Sequence, residues 1–447
     1  MKMMFSLKNA KKKLNKSNFV SKLLKNAAVS FIGEGGAAVV TFITTIVLIR
    51  LIGNTAYGML AVAYSFIMIV DNVVNFQSWH AMVTFGSQAV EDKDYDYLQT
   101  VIKIGSIIDF ITAFLGMAIT LVSAQFFSNV MSWDAETTIS IYIMAFMILF
   151  NFTGTSIGII RLFDKFKYFS IYRIITEIFR FVLVVIFCGI MKMGLYGAAL
   201  AYCLGYIFGY LLLFCFFIHT INITPNISVK GIIKANTKGR WKRIFTFTCW
   251  TSLSSSADIP VQQMDVIFLS MISYDVVAVF KVYKQIGQAL TKLTIPIKQA
   301  VMPLFSELIA KGKKRECYDY LIKMRNKSLQ ILMPAVVMVT GGSLVFMHFT
   351  LDDVYVQYWY ILLLYLFLRA LALSYASIHP LFVALGQVRQ NFIVTLFANV
   401  VYIVLVWVTV GRIGIWAILL GLMVEYFIII HMKRKRIEKL VYIKHFI

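Results

Sequence analysis

Six polar residues between positions 281 and 299 share one side of a helix. At 100° per residue, Lys281, Lys284, Gln285, Gln288, Lys292 and Gln299 fall within an arc of about 100°, and Tyr283, Ile286, Leu290, Leu293 and Ile297 take the other side. A lysine ammonium is a compact point charge with three donors, suited to a phosphate or pyrophosphate. Glutamine adds neutral donors and acceptors beside it. Three such lysines facing lipid would cost roughly 8–10 kcal/mol, at about 2.5–3.5 each on insertion scales. The stripe must therefore meet water, counter-ions or an anionic ligand. Arg369 is a further cationic candidate for the same cavity.

Carboxylates recur on neighbouring apolar stretches. Thr251, Ser255, Asp258, Gln262 and Asp265 step by four and three along one face, with Pro260 available to kink it. Glu34 shares a side with Ser30, Thr41 and Thr45, and Asp71 lies with Tyr64, Asn75 and Ser78. Asp109 and Glu425 stand more alone, while Glu177 and Arg180, three apart, are placed to pair. Intramembrane carboxylates either balance the lysines or bind a proton or sodium ion that drives a conformational cycle. Both roles remain open for Glu34, Asp71, Asp109, Asp258 and Asp265. No Ser-His-Asp arrangement or hydrolytic carboxylate pair is present. The five cysteines show neither CxxC nor metal-ligand spacing, so no metal, cofactor or catalytic residue is expected.

The elements that must hold these groups are membrane-spanning helices. Apolar residues make up 60% of the 447 positions and charged ones 14%, against roughly 45–50% and 25% in soluble domains. About 20 apolar residues cross a hydrocarbon core, and the pattern predicts twelve spans: 27–50, 58–79, 101–125, 137–160, 171–191, 194–218, 244–272, 276–304, 328–350, 355–384, 391–410 and 414–431. The intervening segments, including 80–100, read as loops. No P-loop signature for ATP hydrolysis occurs.

The formal charge of +22 invites a nucleic-acid reading, which the placement of the charge excludes. With a cytoplasmic N-terminus, inside segments and the span edges adjoining them carry 34 of the 43 basic residues, and outside segments only Arg50, Lys192 and Arg412. This asymmetry puts both termini inside and favours anionic membrane lipids as neighbours.

Short motifs repeat at a nearly constant offset. Gly194-Leu-Tyr-Gly197 matches Gly411-Arg-Ile-Gly414, Leu51-Ile-Gly53 matches Met271-Ile-Ser273, and Phe163–Lys167 matches Leu385–Arg389, at offsets of 217, 220 and 222. Two six-span halves of parallel topology follow. The expected organisation is a basic segment 1–26, an N-lobe 27–218, a basic linker 219–243, a C-lobe 244–431 and a basic tail 432–447.

Arg50-Leu-Ile-Gly-Asn-Thr-Ala-Tyr-Gly58 resembles the junction between the first two spans of bacterial polysaccharide flippases. Gln263-Met-Asp265-Val-Ile-Phe-Leu, the Val276–Tyr283 run and Pro303-Leu-Phe-Ser306 resemble the start of their second half. Ile52 and Ala278 depart from the usual Leu and Gly. The chain thus resembles the Wzx-type O-antigen branch of the multidrug/oligosaccharidyl-lipid/polysaccharide exporter superfamily. That resemblance implies an all-α membrane protein with two six-helix lobes around a central cavity, working by alternating access in a bacterial plasma membrane. It implies an undecaprenyl-pyrophosphate-linked oligosaccharide as substrate and a polysaccharide polymerase as a partner. A cation-coupled multidrug antiporter of the same superfamily is the alternative, favouring carboxylates and aromatics over lysines. A polysaccharide polymerase or ligase would need a large external loop, which is absent.

Overall fold

A computed structural model describes Val29, residues 31–256, 259–292 and 307–442, and Val301, Leu304 and Phe305. Helix dominates and no strand occurs among these residues, as expected where backbone polar groups must be satisfied within the segment that crosses lipid. The N-terminal half comprises α1 (Phe31–Ile52), α2 (Asn54–Val74), α3 (Trp79–Glu91), α4 (Tyr95–Met131), α5 (Ala135–Leu149), α6 (Gly154–Leu162), α7 (Phe166–Val184, continued by a π turn, Val185–Ile190) and α8 (Gly194–Ile223). After the short α9 (Val229–Lys234), the C-terminal half comprises α10 (Trp241–Ser256), α11 (Ile259–Leu269), α12 (Tyr274–Lys292), α13 (Lys314–Thr350), α14 (Val354–Gln357), α15 (Trp359–Ser374), α16 (Ile378–Ala384), α17 (Val388–Ile413) and α18 (Trp416–Tyr442).

Among the described residues, eight helices are long and apolar enough to cross a membrane, and α5 with α6, bent by 44°, adds a ninth. They correspond to nine of the twelve expected spans. The other three, expected at 171–191, 244–272 and 276–304, carry the charges discussed above, so the expected total is not met by apolarity and length alone. The lipid-facing character of the exterior is plain: Val122 on α4 is 81% exposed and Phe349 on α13 75%, a loss no water-facing surface would accumulate along whole helices. The 80–100 segment differs from its reading as a loop. Residues 79–91 form α3, whose Ala81, Met82, Phe85 and Ala89 are buried against α4 and α6.

The internal repeat is visible in the backbone. α4 and α13 each span 37 residues, and each begins two residues after a left-handed position, Lys93 (φ 57°) or Gly312 (φ 75°). Asp164 and Gly386 (φ 56° and 75°) form a second such pair, and Gly194 and Gly414 (φ 58° and 60°) a third. The Gly194–Gly197 and Gly411–Gly414 alignment is therefore three residues out of register: what recurs is the left-handed turn opening the last long helix, not the Gly-x-x-Gly string.

Each half packs into a lobe. α7 lies on α8, α5 on α2, α4 and α8, and α3 on α4 and α6; in the other half, α13 lies on α15, α17 on α18, and α12 on α11 and α15. The lobes meet where α2 packs on α11 and α12. α10 crosses over to α2, α3 and α4, with the Ser256 hydroxyl donating to the Asn72 carbonyl at 3.0 Å. One end of the interface is closely stitched. Arg50 Nε donates to the Thr350 carbonyl (2.8 Å), Asn54 Nδ2 to Asp352 (2.6 Å), and the Thr55 hydroxyl to Asp275 (2.7 Å). At the same end Gly58 lets α2 touch the start of α12, since a Cβ there would lie 2.0 Å from the Tyr274 carbonyl oxygen.

Candidate functional site

Between the lobes lies a cavity of about 930 Å³, walled by α1, α2, α7 and α8 on one side and by α12 and α13 on the other. The C-terminal wall takes its polar groups from α12. The opposite face of this helix is buried through Val279 and Tyr283, which turns Lys281, Gln285 and Gln288 to the cavity, beside the apolar Ile286 and Leu290. The Lys281 ammonium sits 5.3 Å from the centre of the Tyr64 ring and 3.4 Å from the Ser65 hydroxyl. Among the described residues no carboxylate lies within 4.0 Å of it. Gln285 Nε2 donates to the Thr45 hydroxyl at 2.9 Å, bridging the lobes.

The N-terminal wall is built from compensated charges and tyrosines. Gly205 and Gly209 on α8 bring that helix against Arg180 and Thr176 of α7, where Cβ atoms would lie 2.9 and 2.5 Å from those side chains; small residues at this spacing permit close helix approach in lipid. Glu177 and Arg180 pair directly. Thr41 donates to Glu177 at 2.9 Å, and Arg173 donates to both Glu34 oxygens at 3.0 and 3.2 Å. The Arg180 guanidinium lies 4.7 Å from the Tyr202 ring and 5.2 Å from that of Tyr206. The Tyr206 hydroxyl meets that of Tyr64 at 2.6 Å.

The stripe on α12 divides. Lys284, at the edge of the arc nearest α11, turns away from the central cavity and bonds both oxygens of Asp265, at 2.7 and 2.6 Å. It lines a smaller pocket of about 330 Å³ within the C-lobe, together with Thr291, Arg369 and Tyr426. Arg369 donates to the hydroxyls of Tyr426 (3.1 Å) and Thr291 (2.9 Å), so it faces this pocket and not the central one. Gln288 borders both pockets. Asp258 and the side chain of Lys292 lie outside the described residues.

The remaining carboxylates separate by partner. Glu34 belongs to the cavity wall through Arg173. Asp71, 8% exposed, accepts from Asn151 Nδ2 at 2.8 Å. Asp109, fully buried, accepts from the Thr155 amide at 2.7 Å at the start of α6, where free helix N–H groups welcome a carboxylate. Neither has a basic partner within 4.0 Å among the described residues. Sequence reasoning missed Arg173, Tyr202 and Tyr206 as cavity residues. The signal was present: Tyr202, Tyr206 and Tyr210 recur every four residues, on one helix face.

Residues 23–309 match the family described as polysaccharide biosynthesis protein. No curated protein matches the chain. Among solved structures, the fold resembles an inward-facing multidrug resistance MATE family transporter of the MOP superfamily (TM-score 0.72, 13% identity, covering 94% of this chain and 95% of that one). It also resembles the eukaryotic MATE transporter AtDTX14 (TM-score 0.63, 14% identity, 96% and 97% covered). An outward-facing MATE family transporter of the MOP superfamily matches with a TM-score of 0.61 at 14% identity, 94% and 96% covered. The two-lobed architecture is thus the one these transporters share.

Proposed function

Since the chain belongs to the polysaccharide biosynthesis protein family, we propose that it is a flippase for a lipid-pyrophosphate-linked oligosaccharide. The substrate crosses the bacterial plasma membrane by alternating access, with both termini cytoplasmic and an ion gradient as the driving force. The observation that carries the substrate class is Lys281: an ammonium without a carboxylate partner among the described residues, on the wall of a cavity whose other charges are paired. A desolvated cation is stabilised by an anionic ligand far more than one in water. Lys292 would extend this cationic face, and Lys284 would join it on release from Asp265. Gln288 forms the polar rim between the two pockets, and Arg369 lines the smaller one. The two lobes correspond to the 27–218 and 244–431 units, and the stitched end is the outer one, so this conformation is open to the cytoplasm.

Asp71 and Asp109 support the coupling role. A buried carboxylate without a counter-charge is costly to keep ionised, so it binds a proton or cation when the site closes. A multidrug antiporter draws support from the structural likeness to MATE transporters. Against it, Glu34 and Glu177, the carboxylates a cationic drug would seek, already hold guanidinium partners.

The test is equilibrium binding of polyprenyl pyrophosphate to the purified protein at two salt concentrations. Lys281→Ala should weaken binding roughly 10- to 150-fold, the loss of one charge-assisted contact of about 1.5–3 kcal/mol, and Lys281→Arg should weaken it less. Equal binding by parent and Lys281→Ala, or a preference for lipophilic cations, would sink the proposal.

A further inference from the structure

We propose, resting on the flippase reading, that the N-terminal wall of the cavity is a saccharide subsite, and that it selects an uncharged sugar next to the pyrophosphate. A sugar offers hydroxyls around its edge and apolar C–H groups on its faces. The groups that read it are planar, fixed donors and acceptors together with aromatic rings. This wall supplies both. Arg173, 34% exposed, presents its guanidinium fork to the cavity, and Glu34, bonded to it through both oxygens, fixes the plane of that fork. Behind them the Arg180 guanidinium, held by Glu177, lies against the rings of Tyr202 and Tyr206 and fixes their planes.

The position follows from a chain of contacts across the cavity. Lys281 lies against Tyr64, and the Tyr64 hydroxyl touches that of Tyr206. A ligand whose pyrophosphate is held by Lys281 therefore brings its first sugar onto the Tyr64 and Tyr206 pair, in the cavity that Arg173 also lines. The selectivity follows from charge. Two guanidiniums face two carboxylates, so these two pairs are neutral in sum among the described residues. An acidic sugar would gain nothing from guanidiniums already committed and would be opposed by Glu34 and Glu177. An uncharged one bonds to the accessible Arg173 guanidinium and leaves both pairs intact.

The experiment compares three probes on the full-length protein in nanodiscs: bare polyprenyl pyrophosphate, the same lipid carrying one N-acetylhexosamine, and the same lipid carrying one hexuronic acid. The parent should bind the N-acetylhexosamine probe about tenfold more tightly than the bare lipid, and the hexuronic acid probe no more tightly than the bare lipid. Tyr206→Phe should erase most of that preference while the bare lipid binds as before, and Glu34→Gln, which leaves the Arg173 guanidinium uncompensated, should erase it while tightening all three probes. Lys281→Ala should weaken all three probes by a similar factor. Equal binding of bare and N-acetylhexosamine lipids by the parent overturns the subsite, as does a preference for the hexuronic acid or a preference that survives both substitutions. Failure of the parent to bind the bare lipid overturns the flippase reading itself, and with it this inference. That result is distinct from the loss of sugar preference alone.

Discussion

Lys284 and Asp265, 19 residues apart on α12 and α11, meet at 2.6 Å inside the C-lobe. Both are nearly inaccessible, 8% and 2% exposed. Removing one partner of such a pair leaves a buried, uncompensated charge, at a cost of about 3–5 kcal/mol. Lys284→Ala should therefore lower the thermal unfolding midpoint in detergent markedly. The double variant Lys284→Met with Asp265→Leu should recover most of the loss, since a well-packed apolar pair replaces the ions. Lys281→Ala should leave the midpoint near that of the parent. A single Lys284→Ala variant as stable as the parent would show that the pair contributes little.

Asp71 tests ion coupling. Its partner is the Asn151 amide, which an asparagine at 71 can still meet after an amide flip, so Asp71→Asn should fold normally. Transport in proteoliposomes should fall and lose its dependence on a proton or sodium gradient. Transport with the parent's ion dependence would assign Asp71 a purely structural role.

The stitched end of the interface predicts a conformational lock. Cysteines at positions 54 and 352, joined by a short thiol cross-linker in a background lacking the exposed Cys215 and the half-buried Cys249, should arrest transport. A linker cleavable by reductant should restore it. Gly58→Ala should lower the cross-linking yield, because the new methyl group would press on the Tyr274 carbonyl and Cβ and push α12 away. Undiminished cross-linking in that variant would mean the helices separate without opening the end.

Orientation is checked by fusion. Alkaline phosphatase placed after Thr55, Asp134 or Asp353 should be active, and after Lys238 or Lys313 inactive. Thr55 and Asp134 already share an end of the structure, where they contact Asp275 and Tyr274. The reverse activity pattern would invert the assignment of the stitched end.

The all-helical, two-lobed plan was legible in the sequence because long apolar runs admit few alternatives in lipid, and because the repeat left marks at Gly194 and Gly414. The face of α12 was legible too, since Lys281, Gln285 and Gln288 follow the helical period and do line one cavity. The separate fate of Lys284 was not. A helical wheel places it 60° from Lys281, and only the approach of α11 decides that Asp265 captures it. The 79–91 helix escaped because its apolar positions are interrupted by His80, Thr84, Ser87 and Gln88, and its burial depends on α4 and α6 supplying the other side. Arg173 lies three positions into the expected 171–191 span, where charge counting registers it only as part of a basic inside flank. Its pairing with Glu34, 139 positions earlier, is a tertiary event that charge counting does not register.

The parallel relation between the halves bears on how the opposite-facing state is reached. In a molecule built from inverted repeats, exchanging the conformations of the two units generates the opposite-facing form, so one state foretells the other. Here the pairs Lys93 with Gly312 and Gly194 with Gly414 relate halves that point the same way. Exchanging them returns the same face. In the proposed alternating-access cycle, the seal at the far end is therefore made by contacts that have no counterpart in Arg50, Asn54, Asp275 and Asp352. Substitutions there will tune one half-reaction without a matching effect on the other.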